Sequence, residues 1–254
     1  MSTGAATSNP SHSSLPILLR LFISSLIVAM PLLAGCRHEA TGPQADAYAV
    51  RGIDVSAHNG AIDFDAVAAD GIHFVMIKAS EGTDWQDRSL TRNYAGARRA
   101  GLKVGLYHFF RFDSPGDLQA LNFADAASMR PSDMPLVIDL EEFGNPRFTP
   151  TRQVQARLDS CIAGLRRRGY DVMLYTNKRG YSRFIEGRYD SIPLWLCALD
   201  EGSPAERNWT IWQHSHRGRV DGVSGNVDLN VFCGDSASFA SFASKGNNHP
   251  LRPL

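Results

Sequence analysis

Two acids one residue apart, Asp139 and Glu141, are the residues of this chain best placed to do chemistry. They sit in Pro135-Leu-Val-Ile-Asp-Leu-Glu-Glu142, whose run of apolar side chains reads as a buried strand. Side chains two apart on a strand point to one face, so Asp139 and Glu141 share a side and Leu136, Ile138 and Leu140 share the other. Glu142 points away from the pair, toward a partner on a loop or helix. Two carboxylates side by side at the end of an apolar strand cost free energy through desolvation and repulsion. The chemistry that uses such a pair keeps one acid protonated beside one ionised, which is the requirement for cleaving a glycosidic bond.

The elements that must hold this pair alternate. Strand-like runs occur at Gly52–Ser56, Phe74–Ala79, Lys103–Arg111, Leu136–Glu142, Asp171–Asn177, Leu194–Leu199, Thr210–His214 and Val227–Phe232. Helix-like runs separate the first six: one capped by Asp63 and ending near Ala69, then Asp87–Ala100, Ser114–Met129, Thr151–Arg168 and a short one near Tyr181–Glu186. Thr151–Arg168 has the clearest helical period, through Val154, Leu158, Cys161, Ile162 and Leu165. Regular alternation with continuous apolar strands predicts an α/β fold with a parallel sheet covered by helices. Eight strands predict closure. The connections between the last three are rich in Gly, Ser and Pro, so the expected fold is an incomplete TIM-type β/α barrel of about five βα units followed by three strands.

In such barrels the site lies where the strands end. Polar and aromatic residues gather at those ends: Asp54, Lys78 and Glu81, Tyr107, Asp139 and Glu141, Tyr175, Trp195, Trp212 and Gln213, and Asp228. Asp54 and Asp228 are expected to join the acid pair. Lys78 and Glu81 either pair with each other or shape the cleft. Tyr107, Tyr175, Trp195 and Trp212 are either core aromatics or platforms on which sugar rings stack, with Gln213 beside them. The histidines lack metal-ligand spacing, and surface or supporting roles suit them better. No Gly-rich phosphate loop follows the first strand and no Gly-x-Ser-x-Gly elbow occurs. No metal or cofactor is expected.

The 254 residues carry 26 Lys and Arg against 26 Asp and Glu, a formal net charge of zero. That balance argues against a nucleic-acid partner. Residues 1–14 are rich in Ser, Thr and Ala, and an apolar run from Leu21 to Ala34 follows Arg20. The run is short for a span and reads as an export signal. It ends in Leu33-Ala34-Gly35-Cys36, which resembles the lipobox of bacterial lipoproteins, so residues 1–36 are expected to place a lipid on Cys36. A plain secretory signal and an uncleaved anchor helix are the alternatives. Arg37 carries no inner-membrane retention signal, so an outer membrane, where one exists, is the expected address. Residues 37–47 read as a tether, 48–235 as the folded, monomeric unit, and 236–254 as a loose tail. With Cys36 lipidated, Cys161, Cys197 and Cys233 leave an odd number, compatible with one disulfide and one free thiol. Cys161 lies on the apolar face of its helix, as a buried thiol would.

Several motifs together resemble glycoside hydrolase family 25, the lysozymes that act as N-acetylmuramidases. They are Arg51-Gly-Ile-Asp-Val-Ser56, Phe74-Val-Met-Ile-Lys-Ala-Ser-Glu-Gly82, Gly105-Leu-Tyr-His-Phe109, Asp139-x-Glu141, Trp212-Gln213 and Gly222-Val-Ser-Gly-Asn-Val-Asp-Leu-Asn230. The resemblance spans the folded unit, with the motifs in family order. It implies the incomplete barrel and hydrolysis of the β-1,4 bond between N-acetylmuramic acid and N-acetylglucosamine in peptidoglycan. It also implies an acid cluster at Asp54, Asp139, Glu141 and Asp228. Ala57-His58-Asn59 departs from the family's more usual segment after the first strand, which bears on one sugar subsite. The expected mechanism has Glu141 as general acid with a raised pKa and Asp139 ionised beside it. Their close spacing favours attack by the sugar's own acetamide with retention, the alternative being direct attack by water with inversion. Two further readings stay open: a binding module that holds glycan in the same cleft, and a glycosidase for another N-acetylated glycan.

Overall fold

The structure, a computed structural model, describes residues 44–199, 204 and 209–244. The expected export signal, Cys36, most of the expected tether and residues 245–254 lie outside them. The strands are β1 (Arg51–Val55), β2 (Phe74–Glu81), the two-residue β3 (Trp85–Gln86), β4 (Lys103–Phe109), β5 (Leu136–Asp139), β6 (Val172–Asn177), β7 (Leu194–Cys197), β8 (Ile211–Gly218) and β9 (Val227–Phe232). The helices are α1 (Phe64–Ala69), α2 (Leu90–Arg99), α3 (Gly116–Ser128), α4 (Thr151–Arg167), the single turn α5 (Lys178–Gly180), continued by a π-helical turn over Tyr181–Ile185, and α6 (Ser236–Ser244). The sheet runs β1-β9-β8-β7-β6-β5-β4-β2 and closes through a β1–β2 pairing, with β3 a short flap on β2. Five βα units and three final strands form an eight-stranded barrel, as the alternation predicts.

One strand departs from the expected parallel sheet. β9 is antiparallel to both β8 and β1. The connection between β8 and β9 is too short for the helical crossover that a parallel pair requires, so the chain turns back as a hairpin. The reversal places the start of β9, where Asp228 lies, at the end of the barrel where the other strands finish.

Alternation along the strands splits the apolar residues into two layers. Ile53, Val55, Val75, Ile77, Leu106, Ile138 and Leu174 face outward and pack against the helices. Phe74, Met76, Met134, Val137, Met173, Ile211 and Phe232 face inward and fill the barrel near its base. Glycine makes room there: a Cβ on Gly52 would lie 2.3 Å from the Phe74 ring. Helix α6 closes this end. Phe239 packs on Phe74 and Phe232 at ring separations of 5.3 and 5.2 Å, and Phe242 also meets Phe232. The first half of the expected loose tail is therefore a structural plug. The i, i+3, i+4 spacing of Phe239, Phe242 and Ala243 gives it an apolar stripe, and the barrel base gives that stripe something to cover.

Helix starts follow local chemistry. Asp63 caps α1 by accepting from the backbone N–H of Asp65 and Ala66. Helix α2 begins three residues later than predicted, because Asp87 is engaged elsewhere. Its carboxylate accepts from the Ser89 N–H and hydroxyl and from the Ala57 N–H, which ties this segment to the turn after β1. Helix α4 buries its predicted stripe and gives way to Gly169 at φ 84°, a conformation glycine adopts without strain. Cys161, Cys197 and Cys233 are all free thiols, so the disulfide that their number allowed is not formed among them.

Candidate active site

A cleft of about 420 Å³ opens at the mouth of the barrel, and Asp54, Asp139, Glu141 and Asp228 all line it. The four predicted acids are thus brought together from β1, β5 and its exit, and β9. Strand β5 ends at Asp139, two residues before Glu141. Glu141 nevertheless has a fixed backbone. Thr176 Oγ1 donates to the Leu140 carbonyl at 2.6 Å, and Asn145 Nδ2 donates to the Glu141 carbonyl at 2.9 Å. Buried Asn145 also accepts from the Phe112 N–H and donates to the Phe110 carbonyl, which staples this turn to the exit of β4. Glu142 points away, as predicted, and pairs with Arg179 at 2.7 Å and with Arg183.

The two buried aspartates are treated in opposite ways. Asp54 Oδ2 accepts from Gln213 Nε2 and Asn230 Nδ2, each at 2.8 Å. Both amides are held behind: Tyr175 OH donates to Gln213 Oε1 at 2.7 Å, and Trp195 Nε1 donates to Asn230 Oδ1 at 2.8 Å. An indole N–H can only donate, so Asn230 must turn its oxygen to Trp195 and its NH₂ to Asp54. Burial, and then the charge of Asp228 across the β1–β9 pair, push the Asp54 carboxyl up to about 8. Asp139 has no such cradle. Its Oδ1 is buried and has no hydrogen-bond partner among the described residues. Burial, and next the charge of Glu141, hold it well above the usual carboxylate range.

Both members of the acid pair hold their protons more tightly than free carboxyls do. Glu141 is raised, chiefly by burial, but the charges of His216 and Lys78 pull it back. Asp139 is raised by burial and by the charge of Glu141, with Lys78 opposing, so both members of the pair are shifted toward holding a proton.

The other expected residues separate into cleft, support and outer layer. Tyr107, Tyr175, Trp195 and Gln213 line the cleft. Tyr175 and Trp195 are nearly inaccessible and pack edge to face at 4.5 Å, so they form its floor and brace Asp54 rather than offering open faces. Trp212 lies outside the barrel. It is fully buried among Tyr48 and Trp209, with Nε1 donating to the Ala198 carbonyl at 2.7 Å. Neighbours on a strand face opposite sides, and Gln213 takes the inward one. Lys78 and Glu81 do pair, at 2.8 Å, with Lys78 Nζ 5.0 Å from both the Trp85 and Phe109 rings. The Lys78 charge still reaches Asp139 and Glu141.

Sequence reasoning missed His216, Asn230, Asn145 and Phe143. Asn230 was legible from period two, midway between Asp228 and Phe232. His216 was not. A bulge between Gln213 and Ser215 shifts the phase of β8, so His216 reaches the cleft and donates from Nδ1 to Asp228 Oδ1 at 2.7 Å. Phe143 stands exposed at the rim. Among the described residues no cluster of three or more His, Cys, Asp or Glu side chains could hold a metal ion.

This geometry has counterparts. Residues 53–223 match the family described as glycosyl hydrolases family 25. The chain belongs to glycosyl hydrolase family 25. It is 34% identical to lysozyme M1 of Streptomyces globisporus over 227 residues, covering 83% of this chain and 76% of that protein. A family 25 glycosyl hydrolase from Bacillus anthracis superposes with a TM-score of 0.73 at 30% identity, covering 82% of this chain and all of that one. A bacterial lysozyme from Streptomyces coelicolor gives 0.70 at 33% identity, covering 77% and 97%. As a family 25 member the chain is a glycoside hydrolase.

Proposed function

We propose that this family 25 enzyme is a muramidase that cleaves the β-1,4 bond between N-acetylmuramic acid and N-acetylglucosamine in peptidoglycan, with retention through the substrate's own acetamide. Similarity to lysozyme M1 supports the bond and the polymer. The observation that carries the mechanism is the buried, unpartnered Asp139 Oδ1 beside Glu141. An acetamide N–H reaching that oxygen supplies the missing hydrogen bond, and hydrogen bonding to a carboxylate favours its charged form. The coupled pair keeps one proton, which then resides on Glu141.

Glu141 gives its proton to the glycosidic oxygen as the bond to C1 breaks. The acetamide carbonyl oxygen attacks C1 from the other face, and Asp139 stabilises the positive oxazolinium-like ring through its N–H. Glu141 then takes a proton from water as the water oxygen attacks C1 and the acetamide re-forms. Asp54 and Asp228 position sugar and water. Two successive inversions leave the β-anomer, which proton NMR of the first-formed product reads directly. An initial α-anomer would eliminate the scheme in favour of direct attack by water. Mass spectrometry of released fragments tests the bond, since N-acetylmuramic acid must carry the new reducing end.

We further propose that a lipid on Cys36 holds the enzyme on a membrane facing the wall, close to a polymer that its zero net charge does not steer it toward. Cys36→Ala should move the protein from the membrane to the soluble fraction.

A further inference from the structure

His216 has a second neighbour that the glycosidase chemistry does not use. Its Nδ1 faces Asp228, and its Nε2 lies 3.7 Å from Cys197 Sγ. Cys197 ends β7 inside the barrel, in register with Gln213, and is 7% exposed. A nucleophile within reach of an imidazole, with a carboxylate behind that imidazole, is the arrangement that activates cysteine. Hydrogen bonds to Asp228 and Cys197 push the imidazole up to about 10, so at neutral pH both ring nitrogens carry protons and Nε2–H points at the sulfur. The other thiols are placed differently. Cys161 is sealed beneath α4 with its thiol pushed far up by burial, and Cys233 is exposed with no such imidazole contact among those described.

We propose that Cys197, His216 and Asp228 form a thiol–imidazole–carboxylate relay in the cleft wall, making Cys197 a modification site for hydroperoxides that switches the enzyme off. The sulfur attacks the distal peroxide oxygen, an S–O bond forms and the O–O bond breaks. His216 gives its Nε2 proton to the leaving oxygen, which departs as water or an alcohol, and takes up the thiol proton in its place, so Cys197 becomes a sulfenic acid and the imidazole is restored. Sulfur is oxidised and peroxide reduced, with no other reactant. The added oxygen occupies the gap between Sγ and Nε2. It displaces the imidazole that holds Asp228 and whose charge acts on Glu141. A thiol reductant reverses the change.

The test exposes the full-length protein to hydrogen peroxide, traps sulfenic acid with dimedone and maps the adduct by mass spectrometry. The adduct is expected on Cys197 ahead of the more exposed Cys233, and at a rate about tenfold lower in His216→Asn, because the imidazole no longer assists. Wall-lytic activity should fall in step with the adduct and return with dithiothreitol. Cys197→Ala should keep basal activity and resist peroxide, while Cys233→Ala stays sensitive. First labelling of Cys233, or an unchanged Cys197 rate in His216→Asn, overturns the relay. Full activity with Cys197 oxidised overturns the switch. Adduct mapping needs no substrate, so it stands apart from the muramidase reading on which the activity arm rests.

Discussion

The two ends of the barrel interior are made by the same strands and do opposite work. At the base, Phe74 and Met76 of β2, Met173 of β6 and Phe232 of β9 meet each other and the Phe239 plug. At the mouth, one or two inward positions further along, the same alternation delivers Asp54, Tyr107, Asp139 and Tyr175. The base gains from burying apolar surface. The mouth gathers four carboxylates, two of them buried, and Asp54, Asp139 and Glu141 are shifted toward holding a proton. A barrel can thus keep strained electrostatics at one end because the other end anchors the strands.

Substitutions at the two ends should separate activity from stability. Glu141→Gln at the mouth should lower kcat on the order of 10³-fold, the typical worth of a positioned general acid. KM should change little, since the amide keeps the shape. Turnover close to wild type in a turbidity assay on cell walls would remove Glu141 from the mechanism and favour the glycan-binding alternative. At the base, Phe74→Ala should cost about 3–5 kcal/mol of stability by opening a cavity beneath Phe239. Its activity per folded molecule should stay unchanged. A large kcat loss in a variant still shown folded by circular dichroism would mean the two ends are not independent.

Asp139→Asn should move both quantities in opposite directions. The amide cannot stabilise a positive oxazolinium-like ring, so kcat should fall on the order of 10²-fold. It also removes a buried carboxylate that has no hydrogen-bond partner and faces Glu141. Thermal stability at pH 8 should therefore rise. A lower Tm there would show that the Asp139 carboxylate is supported by the fold rather than held against it.

Much of this contrast was legible in the sequence. Strand and helix positions followed from period and caps, and the four acids followed from where the strands end. What escaped depended on phase and on partners. Trp212 and Gln213 are adjacent, so only one can face inward, and apolar character alone does not choose. His216 reached the cleft through a one-residue bulge that inverts the expected side. Ser236–Ser244 looked loose because its few large residues matter only against a surface the sequence does not display. That Asp139 Oδ1 is left without a donor among the described residues is likewise a fact of three dimensions.

The smallest effect concerns pH, and its sign follows from the mouth alone. Asp54 titrates near 8 in the fold against 3.8 in an unfolded chain, so the folded state binds a proton that the unfolded state has released. That contribution is complete below about 3.8 and is lost as pH rises through 8. Asp139 and Glu141 are shifted the same way. His216, raised from 6.5 to about 10, adds a loss of the same sign between those values. Tm should therefore fall from pH 5 to pH 9, on the order of 5 °C, the change that about 1–2 kcal/mol produces in a domain of this size. Asp54→Asn should make the fall below pH 8 shallower and leave the contributions of Asp139, Glu141 and His216 in place. A Tm that climbs from pH 5 to pH 8, or a slope untouched by Asp54→Asn, would place the cost of buried charge somewhere other than the barrel mouth.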